Sequence, residues 1–300
     1  MKRKLMPLKQ FIQLQFLGFL LFSAGCAPVA TMQTPTLAPS LTATRTPFPP
    51  APTPTPTSAF TQVPTVTPTL DPAAHFEVSS PLADILLEEL STILSGSFIQ
   101  PAPGLDDGHH GSDFAYYSHG KHDTMLGLPV YSLLNGIVVG VTSDKKPYGN
   151  LVIIETSLQT IPKDFLSLLA PPTELNAYPY NPRMQYCPGL KEQNWTDTVG
   201  SLYILYGHLI EPTPLDVGDE VASGQLVGGV GNTGLSGNPH LHLEMRWGSS
   251  GTKFASMGNY DNAATQEEMM EYCNWRISGR FVLQDPMAFL ASWAIYSQSQ

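Results

Sequence analysis

Three short clusters in this chain carry side chains that can hold a metal ion or move a proton: His109-His110-Gly111-Ser112-Asp113, Tyr206-Gly207-His208-Leu209 and His240-Leu241-His242. Each alone is commonplace, since an isolated His-x-His is most often a surface coincidence and a His near an Asp a hydrogen-bonded loop pair. Together they offer more. Two histidines and one carboxylate make three protein ligands, which leaves the fourth tetrahedral position of a catalytic zinc open for water. Zinc bound in this way lowers the pKa of that water to ~7. On a strand, alternate residues face the same side. His240 and His242 then share one cleft while Leu241 and Leu243 enter the core. His110 rivals His109 as the first ligand. A further group, His119, His122 and Asp123, is either a second metal site or an ordinary polar loop.

These clusters need rigid elements around them, and the apolar pattern predicts strands. Val130 to Val141, Leu151 to Glu155, Leu202 to His208, Glu220 to Val230 and Leu241 to Trp247 are short β-prone runs punctuated by glycines. They predict a mainly β, antiparallel domain with tight turns. Before them, Leu82, Ile85, Leu86, Leu90, Ile93 and Leu94 recur at helical spacing after Ser80-Pro81, which predicts a helix. Thr265 with Glu268 forms a capping-box pattern, and Asp285-Pro286 opens another helix. A few small helices are thus expected on the outside of the sheet.

The chain has 300 residues, 28 of them proline, and the prolines crowd one stretch. Lys2, Arg3, Lys4 and Lys9 precede an apolar run, Phe16 to Phe22, that ends in Ser23-Ala24-Gly25-Cys26, so residues 1–25 read as a secretory signal. Phe11 to Gly25 falls short of the ~20 apolar residues of a spanning helix. Ala24-Gly25-Cys26 resembles the lipobox of bacterial lipoproteins, which implies acylation of Cys26 and a membrane anchor; Ser23 departs from the usual leucine. Ordinary cleavage nearby, releasing a soluble secreted protein, is the alternative. Residues 27–72 are mostly Thr, Pro, Ala and Ser, with Arg45 and Asp71 as their only charges. Such a stretch has little apolar surface to bury and is expected to be a disordered, semi-rigid spacer. The folded domain is expected over 73–300.

The formal net charge is −10, and the signal carries four of the cations, so the remainder is more acidic still. With no basic patch to neutralise phosphates, nucleic acid is excluded as a partner. Outside the signal, Cys187 and Cys273 remain, and in an oxidising compartment they either pair or stay as two thiols.

The same residues resemble the lysostaphin/LytM-type zinc metallopeptidases, whose domains carry His-x-Gly-x-Asp, Tyr-x-His-Leu and His-Leu-His. Leu128-Pro129-Val130, Asn135-Gly136, Tyr148-Gly149-Asn150-Leu151-Val152-Ile153, Val217-Gly218-Asp219, Gly231-Asn232-Thr233-Gly234 and the stretch Gly237 to Arg246 strengthen the resemblance. It implies an antiparallel β fold of the duplicated hybrid motif type with its site in a groove. His109, Asp113 and His242 are implied as zinc ligands; among the two neighbours, only His109 has the family's spacing to Gly111 and Asp113. His240 and His208 are implied to activate water and stabilise the tetrahedral intermediate. Within 73–300 the expected core is 105–250, with an insertion at 157–200 that can wall the groove and a helical extension at 260–300. The expected activity is hydrolysis of peptide bonds in peptidoglycan cross-links or stem peptides. A catalytically weak activator of other wall hydrolases and a peptidase for non-wall extracellular proteins are the alternatives.

Overall fold

The computed structural model describes residues 76–176, 178, 187–189 and 196–300. The expected signal over 1–25, Cys26, the spacer over 27–72 and part of the 157–200 insertion lie outside the described residues.

The strands are β1 (Leu94–Gly96), β2 (Gly111–Phe114), β3 (Pro129–Tyr131), β4 (Gly136–Lys145), β5 (Gly149–Ser157), β6 (Ser201–Leu209), β7 (Glu220–Val221), β8 (Leu226–Gly229), β9 (Leu241–Gly248) and β10 (Val282–Gln284). The α-helices are α1 (Lys163–Leu169), α2 (Gln266–Ile277) and α3 (Pro286–Ser297). Eight strands form one antiparallel sheet in the order β1-β2-β9-β6-β5-β4-β7, with β10 also paired to β9; β3 and β8 form a separate two-stranded sheet. One edge of β9 is shared: β2 pairs with Leu241–Glu244 and β10 with residues 245–247. The sheet therefore reaches beyond 105–250 at both ends.

Strands β6 and β9 are buried along their whole lengths, as expected of central strands covered on both faces. Alternation sends their side chains into two separate cores. Leu202, Ile204 and Tyr206 of β6 join Leu241, Leu243, Met245 and Trp247 of β9, Phe165 of α1 and Phe289 of α3 in the larger one. Tyr203 and Leu205 point the other way, toward Phe254, Trp275 and Phe281. Each fully buried side chain of this size contributes roughly 1.5–3 kcal/mol.

The helix expected from Pro81 is a seven-residue 3-10 helix, Leu87–Ile93. The upstream amides are used differently: Tyr131 N–H donates to the Pro81 carbonyl, Ala83 N–H to that of Pro129, and Asp84 sits at φ 57°. Leu82, Ile85, Leu90 and Ile93 are still buried, so the apolar spacing marked the inner face but not its backbone. Helix α2 opens with the capping box, Thr265 accepting from Glu268 N–H and Glu268 from Thr265 N–H. Asp285 caps α3 by accepting from Met287 N–H, with Pro286 in the first turn. Cys273 of α2 is disulfide-bonded to Cys187, with Cα atoms 5.9 Å apart.

Candidate metal centre

His242, Glu244 and Arg246 occupy the face of β9 opposite Leu241, Leu243 and Met245, and β2 lays Asp113 directly across from His242 in register. Gly111 faces Glu244 in the same ladder. A Cβ there would stand 2.9 Å from His242 Cε1 and closer still to the Leu243 carbonyl, so the glycine between His109 and Asp113 lets β2 approach the site strand. His240, just before β9, bridges to Gly231. His208, next to last in β6, sits at φ 60°, a conformation sparsely populated by non-glycine residues and often found where function fixes the backbone.

His109 Nε2, Asp113 Oδ1 and His242 Nδ1 converge: 3.2 Å between the first two, 2.7 Å between Asp113 and His242, and 3.3 Å between the two imidazole nitrogens. Tetrahedral zinc with bonds of ~2.0–2.1 Å separates its ligand atoms by roughly 3.3 Å. The donor set and its spacing fit a zinc ion with small adjustment of one pair. Among the described residues this is the one group of three ligand-type side chains that gathers.

Hydrogen bonds set which nitrogen each ring presents. His109 Nδ1–H donates to the Ser97 carbonyl (2.8 Å), leaving Nε2 for a metal. His242 turns Nε2 to Glu244 Oε1 (3.4 Å), leaving Nδ1. His208 Nδ1–H donates to the Thr233 carbonyl (2.7 Å) and His240 Nδ1–H to that of Asn238 (2.8 Å). Both therefore turn Nε2 inward, with ring centroids 4.6 Å apart. His240 Nε2 lies 3.6 Å from Asp113 Oδ1.

The electrostatics suit a cation. Burial pushes the Asp113 carboxyl up, but hydrogen bonds from His109 and His242 hold it well below the usual carboxylate range. Burial lowers His242, yet hydrogen bonds to Asp113 and Glu244 outweigh it and set it at about 9; the field that retains a proton there equally favours a metal dication. Burial, with the charges of His242 and His240, presses His208 down to about 3. Neutral His208, with its proton on Nδ1, offers a lone pair at Nε2. It becomes a donor to an oxyanion only after taking a proton.

His110 is not part of the gathering. It is fully buried, accepts from Arg246 Nη2 (2.6 Å) at Nδ1 and donates from Nε2 to the Asp107 carbonyl (3.1 Å). Burial and the two arginines Arg246 and Arg276 lower it to about 2. His119 and His122 pair through their backbones, and His122 Nε2 meets Asp84 at 3.3 Å. With Asp123 they form no three-ligand group among the described residues.

The site opens into a cleft of about 450 Å³, lined beyond the histidines by Leu235–Asn238, Tyr260 and Arg276. Sequence reasoning missed Tyr148, Glu244, Arg276 and Asp106. Glu244 is fully buried, and although burial pushes its carboxyl up, Arg246, the His242 hydrogen bond and Arg276 together hold it well below the usual range. The period of two that pairs His240 with His242 continues to Glu244 and Arg246 and could have found them. No local signal joins Asp106 to Arg276.

Residues 194–260 match peptidase family M23. The resemblance is to peptidase family M23. The M23 match contains His208, His240 and His242, while His109 and Asp113 join them through the sheet. No curated protein matches. Among solved structures, the catalytic domain of lysostaphin from Staphylococcus simulans is 20% identical, over 69% of this chain and 99% of that one, with a TM-score of 0.35. A mutant catalytic domain of the prophage-encoded M23 protein EnpA from Enterococcus faecalis is 22% identical, over 54% and 85%, with a TM-score of 0.31. A zinc-containing peptidase from Vibrio cholerae is 24% identical, over 51% and 33%, with a TM-score of 0.29. At these scores the functional reading rests on the M23 match and the site.

Proposed function

We propose that this chain is an extracytoplasmic zinc metallo-endopeptidase that hydrolyses peptide bonds in peptidoglycan cross-links or stem peptides. The observation that carries it is the convergence of His109 Nε2, Asp113 Oδ1 and His242 Nδ1 in an open cleft, beside two further imidazoles within the M23 match. Zinc held by these three residues supplies Lewis-acid activation of water and of the scissile carbonyl.

The remaining chemistry belongs to the protein. His240 Nε2 faces the site with its lone pair and accepts the proton of the attacking water; the imidazolium then delivers it to the leaving amine nitrogen. His208, neutral and anchored by Thr233, orients that water or shares the proton across the imidazole pair. Its expected oxyanion role requires the protonated ring. Tyr260, an exposed aromatic ring lining the cleft, offers a surface against which a peptide can lie. The full ligand set favours an enzyme over a catalytically weak activator.

Export and a lipid on Cys26 complete the proposal, placing the domain on the outer face of the cell membrane. Among the described residues no helix is long and apolar enough to cross a membrane. Fatty-acid labelling that Cys26→Ser abolishes is the expected result; an unlabelled mature protein starting elsewhere would remove the anchor.

The test of activity is incubation of the purified exported chain with purified wall. New free amino groups should appear, disappear with a chelator and return with zinc. Cleavage of casein but not wall supports the non-wall peptidase. No release alone, with faster release by an added wall hydrolase, supports the activator.

A further inference from the structure

Beneath the metal ligands lies a buried set of charges that the proposed chemistry does not use directly. Glu244 Oε1 accepts from His242 Nε2 (3.4 Å), Tyr148 OH (2.7 Å) and Arg276 Nη1 (3.0 Å). Glu244 Oε2 accepts from Trp275 Nε1 (2.6 Å) and Arg246 Nε (3.2 Å). The two arginines thus have different tasks. Arg246 holds the far oxygen, whereas Arg276 holds the oxygen that faces His242.

Arg276 also reaches the other side of the site. Its Nε donates to Asp106 Oδ1 at 2.6 Å, and Asp106 Oδ2 accepts from Tyr260 OH (2.6 Å) and Tyr272 OH (2.7 Å). Asp106 precedes His109 by three residues. One guanidinium therefore ties the segment that supplies the first ligand to the strand that supplies the last. It also donates from Nη1 to Tyr148 OH (3.1 Å), whose own proton goes to Glu244. Arg276 sits near the end of α2, one turn after Cys273, whose bond to Cys187 fastens that helix.

We propose that Arg276 is a positioning residue for the metal centre, acting through Glu244 on His242 and through Asp106 on the segment bearing His109. This rests on the zinc reading of the site and adds a determinant from outside the M23 match. A planar fork is needed, because one ammonium cannot span Asp106 and Glu244 together. Partners that orient a ligating imidazole typically change metal affinity ~10–100-fold when removed.

The test is zinc affinity of the full exported chain, measured by competition with a chromogenic chelator, with circular dichroism confirming the fold. Arg276→Lys should weaken zinc about tenfold or more. In a Glu244→Gln background the same change should have under about threefold further effect, because the route through Glu244 is already cut and only the route through Asp106 remains. Thr265→Ala, which loosens the start of α2 without touching the network, should leave affinity within about twofold, separating positioning from general destabilisation. If Arg276→Lys does not fold, Tyr148→Phe serves in its place, with a severalfold loss that also vanishes in the Glu244→Gln background. Unchanged affinity in a folded Arg276→Lys chain, or an undiminished loss in the Glu244→Gln background, would overturn the inference while leaving the zinc site standing. A wild-type chain that binds no zinc would sink the site reading itself and this inference with it.

Discussion

Along β9, Leu241, Leu243, Met245 and Trp247 enter an apolar core, while His242, Glu244 and Arg246, on the same strand, enter a pocket of charges closed by Trp275 and Arg276. The seven residues from Leu241 to Trp247 are each at most 5% exposed. Burial alone therefore does not tell the faces apart. The apolar face is held by nondirectional contacts that tolerate exchange at constant volume. The polar face is held by directed bonds, and each group there is stable only because its partner is present. A metal centre needs the second kind of order, and it borrows rigidity from the first.

The largest effect is expected at Glu244. Glu244→Ala leaves Arg246 and Arg276 buried without their shared carboxylate and is expected to cost ~3–5 kcal/mol, read from denaturant unfolding of the metal-free chain. On the opposite face, Met245→Ala should cost ~2–5 kcal/mol, yet zinc affinity should stay within a few fold, because Met245 touches the site only through the backbone. Conservative changes sharpen the contrast: Met245→Leu should cost under ~1.5 kcal/mol and leave zinc binding alone, whereas Glu244→Gln, equally conservative in volume, should weaken it. Equal effects of these two swaps on zinc would show that the faces are not specialised. The smallest effect belongs to a position remote from both: Thr265→Ala removes the cap of α2 and should cost ~1 kcal/mol, seen as a modest fall in unfolding midpoint.

Much of this was legible in the residues. The β-prone runs punctuated by glycines marked the central strands, and the capping pattern at Thr265 and Asp285 marked two helices, because these signals are local. The start of the folded part differs from its pattern: Leu82 to Leu94 have helical spacing, but Ala83 N–H and the Pro81 carbonyl pair with the strand at Pro129–Tyr131, a partner that no local rule identifies, and only Leu87–Ile93 turn, as a 3-10 helix. The ligand trio was legible only through the resemblance to the family's motifs, since residue types alone left His109 and His110 as rivals. Its support was not. Arg276 reaches Asp106 across 170 positions and Glu244 across 32, and such contacts exist only once the sheet and α2 have met. The disulfide between Cys187 and Cys273 is likewise a fact of the folded chain; the cysteine count alone left two thiols equally open.

The central claim is that three of the five residues hold the metal and two move protons, and metal content measured beside turnover tests it most directly. Zinc by atomic emission and wall hydrolysis are compared for His109→Ala, Asp113→Ala, His242→Ala, His208→Ala and His240→Ala. The first three should lose both zinc and activity, since two remaining ligands hold the ion poorly. His240→Ala should keep close to one zinc per chain while turnover falls ~10²–10⁴-fold, and His208→Ala should also keep its metal with a reduced rate. A His240→Ala chain that arrives without zinc, or a His242→Ala chain that retains it, would contradict the division of labour between the converging trio and the imidazole pair.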